Sequence, residues 1–216
     1  MRKTFRDVSF HWQRPKQGHE WYKGRRVRLK PRTPETEDVL DVVLVMAFRK
    51  FARIDTGDSW KLSREILGFA ECYGDIIALP DQEHPTWETW CNAIRQMRQA
   101  VNLWDRLKDP KMTGGARRRG QRSLQLEIHH ALTDTALPSH TAIGLTSELG
   151  LALHPVNLLA YMWLTFARVV SGEIEERPCM GNCSGYIYVG RGPGLKREDT
   201  VTCSDACRKW RERQTA

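Results

Sequence analysis

Four cysteines near the C-terminus constrain this chain more than any other feature. They form two C-x-x-x-C pairs, Cys179/Cys183 and Cys203/Cys207, within "RPCMGNCSGYIYVGRGPGLKREDTVTCSDACRKWRER". The segment "CMGNC", with Gly181 and Asn182 inside, suits a tight knuckle presenting two thiolates to one ion. Beyond it, "YIYV" reads as a strand, "GRGPG" as a turn and "DTVTC" as a second strand rich in β-branched residues. "SDACRKWRERQ" then opens a helix with Ser204 as its cap. Cys203 precedes that helix and Cys207 falls one turn into it, so both face the same side. Knuckle, hairpin and helix in this order are the plan of a treble-clef zinc finger, and four thiolates favour tetrahedral Zn²⁺. The competing readings are two disulfides, an iron centre or free thiols. So short a segment has almost no core of its own, so one structural zinc would supply much of its folding energy. A closed four-cysteine site keeps no position for water, which argues against a catalytic metal.

The compartment bears on that choice. "MRKTFRDVSFHWQRP" has a basic start without an apolar core, so it does not read as a secretory signal. The longest apolar run, "LGLALHPVNLLAYMWLTFARVV", is broken by His154, Pro155, Asn157 and Arg168. Its unbroken part is shorter than the roughly 20 residues a spanning helix needs. The expectation is a cytoplasmic protein without membrane contact, where paired cysteines hold metal rather than disulfides.

The fold class expected is α+β, mainly α, in three parts. These are a basic N-terminal arm (1–33), a mainly helical body (34–176) with a few short strands, and the zinc finger (177–216). In the arm, Phe5, Phe10, Trp12, Trp21 and Tyr22 lie among Arg and Lys, and "KGRRVRLKP" alternates as a short strand. Its aromatics are expected to pack on the body rather than stack on a nucleic-acid strand. In the body, "TPETEDVLDVVLVMAFRKFARI" suggests a helix opening at Thr33, with Pro34, Glu35, Glu37 and Asp38 in its first turn. "SREILGFAECYG" suggests a second, capped by Ser63 and stopped by Gly74. The clearest is "TWETWCNAIRQMRQAVNLWDRLKD", where Trp87, Trp90, Ile94, Met97, Val101, Trp104 and Leu107 recur at helical spacing before Pro110. Cys72 and Cys91 fall in these helices and read as buried small hydrophobes. "KDPKMTGGARRRGQRS" reads as a loop carrying Arg117, Arg118 and Arg119. Residues 123–153 suggest short strands or hairpins turning at Asp134, Pro138 and Gly144, and a last helix from Pro155 to Gly172 enters the finger.

The tail resembles the CGNR-type zinc finger found at the C-terminus of bacterial proteins with a helical ABATE-type domain. Arg177 before the first cysteine, both cysteine pairs and "CSDAC" followed by a basic helix carry the resemblance; "ILGFAECYG" and "LLAYMWLTFA" resemble segments of the wider group. It covers residues 155–213 well and 35–110 loosely, and it implies transcription regulation through DNA. That family's Gly-Asn-Arg is replaced here by Arg208-Lys209-Trp210, and its Phe-x-Asp by Tyr186-Ile187-Tyr188. The metal ligands therefore carry over; a DNA-reading role does not come with them.

Charge points the same way as the resemblance. The chain is +8 overall; residues 1–32 and the tail are basic while the middle is mildly acidic, a distribution that favours polyanions. Arg191, Lys196 and Arg197 in the finger hairpin and Arg208, Lys209, Arg211 and Arg213 on its helix are the candidate contacts to nucleic acid, DNA before RNA. Arg208 and Arg211 would form one outward strip, Lys209 and Arg213 another, with Trp210 packed on the hairpin and Asp205 paired to Lys209. The alternative is a protein-interaction adaptor, partnered or homodimeric through the helical body, whose finger is purely structural. An enzyme is not expected. His129 and His130 near Glu127, and His84 near Asp81 and Glu83, match no triad, nucleophile elbow or H-E-x-x-H pattern.

Overall fold

The structure is a computed structural model that describes residues 12–23, 27–39, 44–77, 85–133, 141–145, 151–183, 185–191 and 194–215; at 23, 27–30, 141–145, 151–154 and 215 it describes the backbone alone. Four antiparallel strand pairs surround the described helices: β1 (Gln13–Pro15) with β4 (Thr36–Asp38), β2 (His19–Lys23) with β3 (Val27–Pro31), β5 (Thr141–Leu145) with β6 (Leu151–Pro155), and β7 (Glu175–Pro178) with β8 (Tyr186–Val189). The helices are α1 (Ala47–Arg53), α2 (Ser59–Tyr73), α3 (Trp87–Leu107), α4 (Gly114–Thr133), α5 (Leu158–Val170) and α6 (Asp205–Thr215). A mainly helical chain with short antiparallel strands is the class expected.

At the centre lies α5. Every residue from Leu158 to Phe166 is buried, as befits a helix that is apolar on all sides. Asn157 caps it, accepting from the Ala160 N–H at 2.9 Å. Around it, Phe48 and Phe51 of α1, Ile66 and Tyr73 of α2, and Trp90, Ile94 and Met97 of α3 are almost fully buried. The periodic stripe read from α3 is thus core, with Trp87 and Trp104 at its half-buried margins.

Trp12 and Trp21 of the arm pack as expected, whereas Tyr22 is exposed. Trp12 is buried and donates Nε1–H to the Tyr73 carbonyl at 2.9 Å. Trp21 meets Trp87 edge-on at 5.3 Å. Gly74 makes that docking feasible: its φ is +89°, and a Cβ there would stand 2.8 Å from Trp12 Nε1. Phe5 and Phe10 lie outside the described residues.

Several local expectations are corrected. No helix opens at Thr33: residues 36–38 pair with β1, where Gln13 bonds Asp38 and Arg14 bonds Glu37. Helix α1 spans Ala47–Arg53 and Leu44 is helical as well, while residues 40–43 lie outside the described residues. Ser63 does not cap α2. Asp58 does, accepting from Trp60 and Lys61 N–H groups, and the helix begins five residues earlier. The expected loop around Arg117–Arg119, and strands from residue 123, are instead the 20-residue helix α4. Gly120 is tolerated there because a Cβ would come within 2.9 Å of Leu107 Cδ2, so the gap in side chains lets α4 approach α3. Pro155 ends β6 rather than starting α5. A hairpin does follow α4, with Gly144 inside β5 opposite Ala152 rather than at a turn; Asp134, Pro138, His84, Asp81 and Glu83 lie outside the described residues. Cys72 is exposed, not buried; Cys91 is half-buried against the core.

Candidate metal centre and basic helix

The four tail cysteines converge. Their sulfur atoms all lie within 4.8 Å of one another, with Cys183 Sγ to Cys203 Sγ 3.5 Å and Cys203 Sγ to Cys207 Sγ 3.6 Å. A tetrahedral ion with Zn–S bonds of about 2.3 Å would set its sulfurs about 3.8 Å apart. The thiols are free, and their spread fits one ion. Two come from the knuckle, one from the residue before the Ser204 cap and one from the first turn of α6.

Local chemistry builds this arrangement. The Cys179 N–H donates to the Gly185 carbonyl at 2.9 Å, closing the knuckle, and the Met180 N–H donates to the Val201 carbonyl at 2.9 Å, tying it to the strand-free segment before α6. Cys179 Sγ accepts from the N–H groups of Cys203 at 3.2 Å and Gly181 at 3.4 Å. Gly181 has no room for a side chain: a Cβ there would collide with Cys207 Cβ and stand 2.9 Å from its Cα. At the helix start, Ser204 Oγ accepts from the Cys207 N–H at 3.3 Å, the expected cap.

Burial pushes the Cys179 thiol up, but the Cys203 and Gly181 N–H donors outweigh it and hold it down at about 7. Burial and the neighbouring thiols push Cys203 up to about 12. Four close sulfurs cannot all ionise without a cation, and a bound divalent ion removes that penalty by replacing their protons.

The hairpin that carries the knuckle differs from the expected one. β8 pairs with β7, residues 175–178, and "DTVTC" forms no strand; only an isolated parallel bridge joins Val189 to Lys196. Ile187, Tyr188 and Val189 are buried, and Tyr188 meets Phe48 edge-on at 5.8 Å. One consequence is that the hairpin is seated on α1 of the body.

An ion cluster that sequence reading missed fixes this seat. Arg49, 5% exposed, bonds Asp105 through two nitrogens at 2.6 and 2.8 Å and Glu176 through two more contacts at 2.7 and 2.5 Å. Glu176 also accepts from Lys108 Nζ at 2.7 Å and Tyr188 Oη at 3.0 Å. The Arg49 guanidinium stands 4.9 Å from the Tyr186 ring centroid. Burial opposes ionisation of Glu176, but Arg49 and Lys108 outweigh it and hold its carboxyl below the usual range; Asp105 is lowered for the same reasons. The one sequence signal was an arginine inside the apolar turn "MAFRKFA".

The seven expected basic contacts are dispersed. On α6, Arg208, Lys209 and Arg213 are exposed and Arg211 is half-buried. Arg208 and Arg211 do not form a free outward strip: with Glu212 and Asp199–Thr202 they line a cleft of about 420 Å³. The expected Asp205–Lys209 pair is replaced by Asp205–Arg208 at 3.1 Å, with Glu212 also 3.6 Å from Arg208. Trp210 is exposed rather than packed on the hairpin. Arg191 and Arg197 are exposed, whereas Lys196 is half-buried in the β8 bridge, its backbone N–H donating to the Tyr188 carbonyl at 2.8 Å. Among the described residues no helix is long and apolar enough to cross a membrane.

No family model, curated protein or solved structure matches the chain.

Proposed function

We propose that this chain is a nucleic-acid-binding regulator, DNA before RNA, whose C-terminal segment is a four-cysteine zinc finger of treble-clef type. The observation carrying the reading is that the four cysteine sulfurs converge at the start of α6, and α6 presents Arg208, Lys209 and Arg213 to solvent. Zinc would be held by Cys179, Cys183, Cys203 and Cys207; tetrathiolate coordination in a closed site supports a structural role. The α6 cations, with Arg191 and Arg197, would meet phosphates, and the 199–202 cleft lies beside them. The resemblance to CGNR-type fingers agrees with this reading but lacks the Gly-Asn-Arg segment. Cytoplasmic residence suits four reduced thiols.

A second reading has its own observation. The knuckle hairpin is clamped to the body by Arg49 and Glu176, and Arg208 already has two carboxylates. Such a finger could be a structural cap on a protein-binding body.

Fluorescence anisotropy of the zinc-loaded protein with duplex DNA and with single-stranded RNA separates the two. Across about 50–200 mM salt, binding through phosphates weakens steeply. Salt-sensitive binding that is lost in a Lys209→Ala/Arg211→Ala/Arg213→Ala variant supports the finger helix as the interface. Absence of binding to both polymers leaves the structural-cap reading.

A further inference from the structure

A cleft between α1 and α2 has the makings of a small-molecule site. It occupies about 310 Å³ and is lined by Lys50, Arg53, Ile54, Glu65, Phe69 and Tyr73, with Gly68 and Cys72 at its edge. That volume is at the small end of ligand pockets.

Its floor is apolar. Ile54, Phe69 and Tyr73 are buried, and the Phe69 and Tyr73 rings stack with centroids 4.6 Å apart. The Tyr73 side chain is 2% exposed, and its hydroxyl faces the Lys50 ammonium at the rim.

The rim supplies two cations one helical turn apart. Neither Lys50 nor Arg53 has a carboxylate partner among the described residues. Lys50 Nζ lies 5.6 Å from the Tyr73 ring centroid, and Arg53 lies 6.0 Å from that of Tyr186. Both cations are therefore held near aromatic faces before any ligand arrives. One carboxylate also lines the cleft: Glu65 accepts from the Asp55 N–H at 2.6 Å. Two cations against that one anion suit a monoanion better than a dianion.

Gly68 keeps the space open. A Cβ placed there meets no heavy atom within 4 Å beyond its own helix backbone. An exposed mid-helix glycine is unfavourable relative to alanine, so nothing in helix formation itself explains it.

We propose that this cleft binds a small carboxylic acid with a flat apolar body. Its carboxylate would lie between Lys50 and Arg53 and its apolar part on Ile54 and Phe69. The site is separate from the metal centre and does not depend on nucleic-acid binding.

The test is calorimetric titration of the zinc-loaded full chain with 2-naphthoate, 2-naphthamide and 2-naphthyl phosphate. Two variants run beside it. Gly68→Leu fills the cleft with a residue that favours the helix, so folding is not at risk, and Arg53→Gln removes one cation at an exposed position. One-to-one binding of naphthoate, weakened at least tenfold by each variant and at least tenfold for the amide, is the expected result. The proposal is overturned if naphthoate shows no saturable binding, if its affinity is unchanged in Gly68→Leu, or if the phosphate binds more tightly than the carboxylate.

Discussion

The helical body and the cysteine segment solve the same problem with different materials. In the body, Phe48, Ile66, Trp90, Ile94, Met97 and Phe166 are removed from water almost completely, and burial of apolar area carries the fold. Beyond Gly190, by contrast, Cys207 is the one buried residue among those described. The helix there, α6, has 11 residues, fewer than an isolated helix needs for stability in water. On our proposal it is held by an ion at the sulfur cluster together with the backbone bonds around the knuckle. Stability can thus be removed from one region by changing its packing and from the other by changing its ligands. At the seam stands a third device, the Arg49–Asp105–Glu176 cluster, which is neither apolar packing nor metal.

The largest expected effect breaks the comparison at the ligand end. Structural zinc contributes about 10–16 kcal/mol in isolated finger peptides. Metal removal should melt α6 while leaving α1–α5 intact, read as protease cleavage confined to residues 190–215 and near-complete retention of the body's near-ultraviolet dichroism. Joint unfolding of both regions would show that they are one unit.

Next in size is the seam. Removing one partner of a buried ion pair costs about 3–5 kcal/mol, so Glu176→Gln should lower the stability of the metal-loaded chain by that order in urea unfolding. The pH dependence sharpens the point. Because the Glu176 carboxyl is held below its ordinary value of 4.5, its stabilisation is present above that pH and is lost as pH falls through the lower folded value. Wild type should lose stability below pH 4.5 more steeply than E176Q, measured by unfolding at stepwise lower pH.

The body's own lever is packing. Ile94→Ala should cost about 2–5 kcal/mol through lost burial and a residual cavity, while zinc affinity, measured by chelator competition, stays within about twofold of wild type. The smallest effect belongs to a cap. Asp58→Ala removes the acceptor for Trp60 and Lys61 N–H groups and should cost about 1 kcal/mol, seen as a lower unfolding midpoint without any change in metal binding.

What the sequence made legible divides along the same line. The convergence of the four cysteines was readable because metal coordination needs particular residues at short spacing, and α3 because its tryptophans, Ile94 and Met97 repeat at the helical period. Gly74 announced its own role as a stop. The missed features depend on partners distant in sequence. Residues 36–38 carry good first-turn helix residues, yet they form a strand because Gln13 and Arg14 pair with them from the far side of the β2–β3 hairpin. The Arg117–Arg119 run lies among Gly114, Gly115 and Gly120 and reads locally as a loop; packing of Leu124 and Ile128 against the core makes it helical. β8 found its partner in residues 175–178, ahead of the knuckle, because the preceding helix delivers that segment to α1. Nothing local in "EERP" marks Glu176 as the residue that fixes the seam.

The central claim is that four thiolates hold one tetrahedral ion and thereby fix α6. Cobalt(II) titration of the reduced, metal-free chain tests it most directly. The account predicts saturation at one equivalent, with the intense visible absorption of tetrahedral tetrathiolate cobalt, displaced by one equivalent of zinc and accompanied by recovery of α6 helicity. Weak octahedral absorption, or metal binding without any gain in helicity, would contradict it.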